Sequence, residues 1–90
     1  MEQEVVKKYV HVVAAFSPEG KLLPLCVVWE DGRKFEIDRV KQCVRAASRK
    51  AGGVGLRYTC MIRGKEAVLY YEENYKWFVE AKVQRGVENV

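Results

Sequence analysis

Few residues in this chain have types that catalysis could use, and their spacing argues against it. His11 is the single imidazole. It lies in the apolar run Val10 to Phe16, where a satisfied, partly buried histidine is expected in place of a general base. Ser17 and Ser48 have no base near them in sequence. Cys26, Cys43 and Cys60 are odd in number and far apart, without the paired spacing of a zinc site or a disulfide framework. They are expected to be small buried hydrophobes. Gly52-Gly53-Val54-Gly55 lacks the GK[ST] ending of a phosphate cradle, and a strand follows it where a helix would supply the dipole. A hinge is its expected role. The expectation is a protein with no catalytic residues, no metal and no cofactor.

Two features point to binding. The chain carries 16 Lys plus Arg against 12 Asp plus Glu, a net charge of +4. Within it Arg39, Lys41, Arg45, Arg49 and Lys50, with Arg57 just beyond, form a run free of acids after Asp38. Such a run beside a Gly-rich joint suits a phosphate backbone, with an affinity that salt weakens. The second feature is a set of apolar residues, Met61, Val68, Tyr70 and Phe78, on the face of a sheet that should be polar, together with Trp29.

The elements that must position these residues are strands. From Leu56 to Glu80 three alternating stretches are separated by polar breaks, which is the pattern of a β-meander. Leu56, Tyr58, Cys60 and Ile62 share one face; Arg57, Thr59 and Arg63 share the other. A two-residue turn at Gly64-Lys65 would set Arg63 against Glu66, Cys60 against Leu69 and Tyr58 against Tyr71. A three-residue loop at Glu73-Asn74-Tyr75 would set Trp77 against Tyr71 and Lys76 against Glu72, with Asn74 taking the left-handed conformation.

Val5 to Phe16 reads as a strand apolar on both faces from Tyr9 on. Ser17-Pro18-Glu19-Gly20 reads as a turn. Leu22 to Trp29 is a second strand, marked by Pro24 as an edge or a strand start. A two-residue Asp31-Gly32 loop would pair Glu30 with Arg33, Val28 with Phe35 and Cys26 with Ile37. Asp38 to Lys50 fits a helix capped by Asp38 or a strand continuing from Ile37.

The stretch Lys50 to Thr59 (KAGGVGLRYT), taken with Lys76-Trp77-Phe78-Val79-Glu80, resembles a family of short uncharacterised bacterial proteins. In that family a GGxGxRYT stretch precedes a strand and a WFVE-type strand closes the domain. The family has no assigned activity. The resemblance implies a bacterial cytoplasmic β-domain, supplies no catalytic residue, and favours the extended form for Arg39 to Ser48.

Ninety residues support one modest core. The acidic start leads into no long apolar run, so neither a signal peptide nor a membrane span is expected, and the setting is read as cytoplasmic. The expected fold is one mainly β domain over 1–80, about six strands curled into a small antiparallel sheet or an SH3-like or split barrel. A short extension or tail covers 81–90. The alternative is an α+β fold with a helix at about 39–50 packed on the sheet. The expected function is non-catalytic binding of nucleic acid or another anionic partner through the basic run. The alternative is a protein-interaction or homodimer module using the apolar face.

Overall fold

Alternation of apolar and polar residues, broken by four tight turns, produces seven antiparallel strands in a curled half-barrel. The structure is a computed structural model that describes residues 5–47, 54–72 and 74–82. The strands are β1 (Val5–Phe16), β2 (Leu22–Val28), β3 (Lys34–Glu36), β4 (Arg39–Ala47), β5 (Val54–Ile62), β6 (Lys65–Glu72) and β7 (Lys76–Lys82). Their order across the sheet is β3-β2-β1-β7-β6-β5-β4. The segment that could have been a helix is β4, running antiparallel to β5. Strand β7 runs to Lys82. Arg49, Lys50, Gly52, Gly53 and the tail from residue 83 lie outside the described residues.

The two edge strands, β3 and β4, are consecutive in sequence, so the chain joins one edge of the sheet to the other. The link is Ile37-Asp38. Ile37 N–H donates to the Leu25 carbonyl at 2.9 Å, and Asp38 N–H donates to the Met61 carbonyl at 2.8 Å. Successive amides of an extended chain point to opposite sides. Residues 34–47 therefore bridge β2 and β5.

β1 divides its pairing, with Val5 to Val10 on β7 and His11 to Phe16 on β2. A bulge at Leu25 bends β2 where Pro24, facing Ala14, lies beyond the end of short β3. Among the described residues no strand pairs on that side of Pro24, which is how a residue without an amide hydrogen fits a strand. The interior collects Val27, Tyr58, Cys60, Leu69 and Trp77, with Val10, Val12, Leu22, Phe35, Ile37, Val40 and Val79 packed against them. Tyr58 reaches across it and donates to the Leu22 carbonyl at 2.5 Å.

The loops correct two of the expected registers. Ser17 to Lys21, Trp29 to Arg33 and Glu72 to Lys76 each enclose three residues, closed by a hydrogen bond from the third loop residue back to the residue before the loop. That third residue is left-handed: Gly20 at φ 86°, Gly32 at φ 91° and Tyr75 at φ 72°. The Glu73-Asn74-Tyr75 loop sets Trp77 opposite Tyr71 and Lys76 opposite Glu72, as the pattern predicts. The left-handed residue, however, is Tyr75 and not Asn74.

The extra residue in the Asp31-Gly32 loop moves Phe35 opposite Val27 and Glu36 opposite Cys26. A one-residue change exchanges faces. Val27 and Phe35 therefore point inward, where Val28 with Phe35 was expected. In the third hairpin the turn is Arg63-Gly64, both left-handed at φ 53° and 77°, and not Gly64-Lys65. Its pairs are Ile62 with Lys65, Cys60 with Ala67 and Tyr58 with Leu69. A shift of two residues keeps the faces and changes every partner.

Three further expectations fail on burial. β1 is not covered on both faces: on the side opposite Val10, Val12 and Ala14, Val13 is 54% exposed. His11 is exposed on that open face, and Cys43 is exposed while Cys60 is buried. Gly55 belongs to β5 and is no hinge. A Cβ there would lie 2.2 Å from the Tyr71 carbonyl oxygen on the facing strand.

Two substitutions test this backbone reading. Tyr75→Gly relieves a left-handed tyrosine and is expected to stabilise the fold by about 1 kcal/mol. Gly55→Ala forces β5 from β6 and is expected to cost about 1–3 kcal/mol. Urea denaturation of the two variants checks both signs.

Candidate binding site

The interior is filled unevenly, because the large rings sit at one end. Tyr58, Tyr71 and Trp77 pack together there, with ring centroids 5.5 Å apart for Tyr58 and Trp77 and 4.8 Å for Tyr71 and Trp77. Toward the other end the inward residues are small or aliphatic: Cys60 faces Ala67 across β5 and β6, with Val27, Leu69 and Val79 nearby. A cavity of about 450 Å³ remains at that mouth. This lies within the range of small-ligand sites, about 300–1,000 Å³.

Cations stand around the opening. Arg33, Arg63 and Lys65 line it beside Trp29 and Phe35. The Arg63 guanidinium lies 4.8 Å from the Phe35 ring centre and that of Arg33 5.5 Å from it, both within cation–π range. Arg33 is held by Asp31 at 2.7 Å, and Lys8 by Glu30 at 3.1 Å with the Trp29 ring 5.6 Å away. Hydrogen bonds from Arg33 hold the Asp31 carboxyl below its ordinary range. Among the described residues no carboxylate pairs with Arg63 or Lys65. The rim therefore carries uncompensated positive charge.

The outer face of the meander is closed by its own side chains. Phe78 is 2% exposed and Tyr70 8%. Their rings stack at 5.0 Å, and Tyr9 meets Phe78 edge-on at 6.1 Å. Lys7 bonds Glu72 at 2.5 Å and sits 5.1 Å from the Phe78 ring centre. Tyr9 donates its hydroxyl to Glu72 at 3.0 Å, and Tyr70 donates to Glu80 at 3.3 Å. The Lys7 hydrogen bond holds the Glu72 carboxyl down, and Glu72 in turn raises Lys7.

The expected site residues are dispersed. Tyr70 and Phe78 are buried within the chain, Met61 is half-buried, and Val68 is 40% exposed. Trp29 lines the cavity at the barrel mouth, as does Val68, whereas Met61, Tyr70 and Phe78 are not among its lining residues. Arg39 faces Met61 across the ladder, and Lys41, at a bulge, bonds Glu66 at 2.8 Å. Arg57 lies on the outer face beside Tyr70, whereas Arg45 faces Leu56 and has the opposite parity. Arg49 and Lys50 are outside the described residues. The four described cations do not form one row.

Sequence reasoning did not select Arg33, Phe35, Arg63 or Lys65. The corrected β2–β3 register sets Phe35 opposite buried Val27, Arg33 stays exposed beside Asp31, and Arg63 left the strand for the turn. The spacing signal that could have found Arg63 is Arg-Gly before a strand, the position where Asn-Gly favours this turn. No family model matches the sequence, no curated protein matches it, and no solved structure matches it. Among the described residues no helix is long and apolar enough to cross a membrane.

Burial pushes the Cys60 thiol from its ordinary 9.0 up to about 11, and pushes the Tyr58 phenol up as well. Both effects favour the neutral form of the folded state. Cys60 ionises near 9 in the unfolded chain and near 11 in the folded one. Its contribution is intact below the lower value and is lost as pH rises through the upper. Thermal melts are expected to show stability falling across that interval, less steeply in Cys60→Ala, while Cys43 is alkylated first at neutral pH.

Proposed function

We propose that this domain is a non-catalytic binding module for an anionic partner, engaged at the mouth of the half-barrel. The observation that carries the reading is the pair of cations without carboxylate partners among the described residues, Arg63 and Lys65, beside an apolar cavity and the rings of Phe35 and Trp29. Nucleic acid is the polymeric partner that suits this chemistry: phosphates meet cations, and an unstacked base meets a ring. Arg39 and Arg57 would extend such a contact along the outer side of β4 and β5. A cytoplasmic, bacterial setting, implied by the GGxGxRYT resemblance, is compatible with it.

Backbone strain supports Arg63 as a functional residue. Its φ of 53° is a conformation in which Asn or Gly costs less. A costly residue at a turn that lines the cavity is the pattern of function held against stability.

The protein-interaction reading has support from a different surface than the one first considered. Val13 and, at the adjoining bulge of β2, Leu25 are exposed at 54% and 49%. Sedimentation over a range of concentrations tests it, and a strict monomer counts against a homodimer.

Arg63→Asn separates binding from folding. It is expected to raise the melting temperature while weakening an anionic probe about threefold to tenfold, the scale of one solvent-exposed charge contact. Anisotropy of a short labelled single strand at low salt measures binding, which should weaken as salt rises. Negligible binding at low salt by that strand and by an aromatic sulfonate dye removes the reading.

A further inference from the structure

The cavity carries more information than the charge around it. Its walls are Val27, Cys60, Ala67, Leu69 and Val79, with Ile62 toward the rim. Among the described residues no buried side-chain nitrogen or oxygen lacks a hydrogen-bond partner. No such group in these walls awaits a ligand. A nucleobase inserted here would leave its own donors and acceptors unmet, which costs free energy for each. A hydrocarbon chain would leave none. Burial keeps the Cys60 thiol neutral to about pH 11, so this wall is uncharged near neutral pH.

We propose that the mouth takes a small amphipathic anion, a free acyl-chain carboxylate, with its chain in the cavity and its head group against Arg63 and Lys65. The proposal rests on the reading of the mouth as an anion site and names the chemistry of the partner. Charge complementarity selects the head group: Arg63 and Lys65 have no carboxylate partner among the described residues, whereas Arg33 and Lys8 already have Asp31 and Glu30. Size and polarity select the tail. The space of about 450 Å³ exists because Cys60 and Ala67 face each other where larger residues would have filled it. Phe35, held beneath two guanidinium groups, lies between the apolar wall and the charged rim.

The test titrates the full chain with hexanoate, octanoate and decanoate, and with decanol and decyltrimethylammonium, all below micelle formation. Calorimetry gives affinity, and amide shifts give location. Affinity should rise about fourfold for each methylene buried, until the chain outgrows the cavity. Decanoate should bind about tenfold tighter than the neutral or cationic decyl compound, as a charge-assisted contact requires. The shifts should centre on Cys60, Ala67 and Leu69. Ala67→Leu fills the space, so it should abolish decanoate binding and raise the melting temperature. Should that variant fail to fold, Arg63→Asn gives an independent readout: decanoate binding should weaken while decanol binding stays unchanged. Equal binding of the three decyl compounds overturns the proposal, as do shifts confined to the outer surface or undiminished decanoate binding by folded Ala67→Leu. If no carboxylate binds but a labelled single strand still binds with salt dependence, the acyl ligand is wrong and the anion site stands. If neither binds, both fall.

Discussion

Two consecutive backbone amides decide how this sheet closes. Ile37 donates to β2 and Asp38 to β5, so one short link belongs to both edges. β3 and β4 remain the two edges of the sheet, and this link ties one to the other. With it, the sheet must curl until Leu25 and Met61 both lie within hydrogen-bond reach of adjacent residues. The curl defines an inside, and the inside defines the site. Tyr58 adds a side-chain tie across the same space, from β5 to the Leu22 carbonyl of β2.

The interior then depends on which residues each hairpin register turns inward. At one end three aromatic rings fill the section, while at the other Cys60 faces Ala67 and space remains. Close packing is the ordinary state of protein interiors. A cavity in a domain with so small a core is a departure that ligand binding would account for. Arg63 is a second departure. A left-handed arginine costs stability at a turn where asparagine would serve, and its guanidinium lies at the rim of the same cavity.

The outer face answers a different question. A sheet with one core face should be polar on the other, yet Tyr70 and Phe78 point outward. Tyr9 and Lys7 from β1 cover them, and Glu72 links the cover by accepting from both. This is a secondary cluster sealed by aromatic rings and charge-assisted bonds. It takes those two rings out of consideration as a stacking platform and leaves the mouth as the better-formed site.

The sequence by itself determined the strands other than β4, which its pattern left between helix and strand, because alternation and turn chemistry act over a few residues. The meander, the three-residue loop after Glu72 and the inward set Leu56, Tyr58, Cys60 and Ile62 are all legible from local pattern. It also determined that the chain carries excess positive charge without the residue spacing of a catalytic or metal site. Registers at Asp31-Gly32 and Arg63-Gly64 were less accessible. Adjacent turn types use nearly the same residues, and one additional loop residue, Glu30, exchanges which face of β2 meets Phe35. Only the tertiary structure decided that Arg33, Phe35, Arg63 and Lys65 meet around one cavity, that Phe78 is sealed by Tyr9 and Lys7, and that Arg39, Lys41, Arg45 and Arg57 separate. Those relations join residues far apart in sequence. They follow from the curl imposed at Ile37-Asp38, which no local pattern encodes.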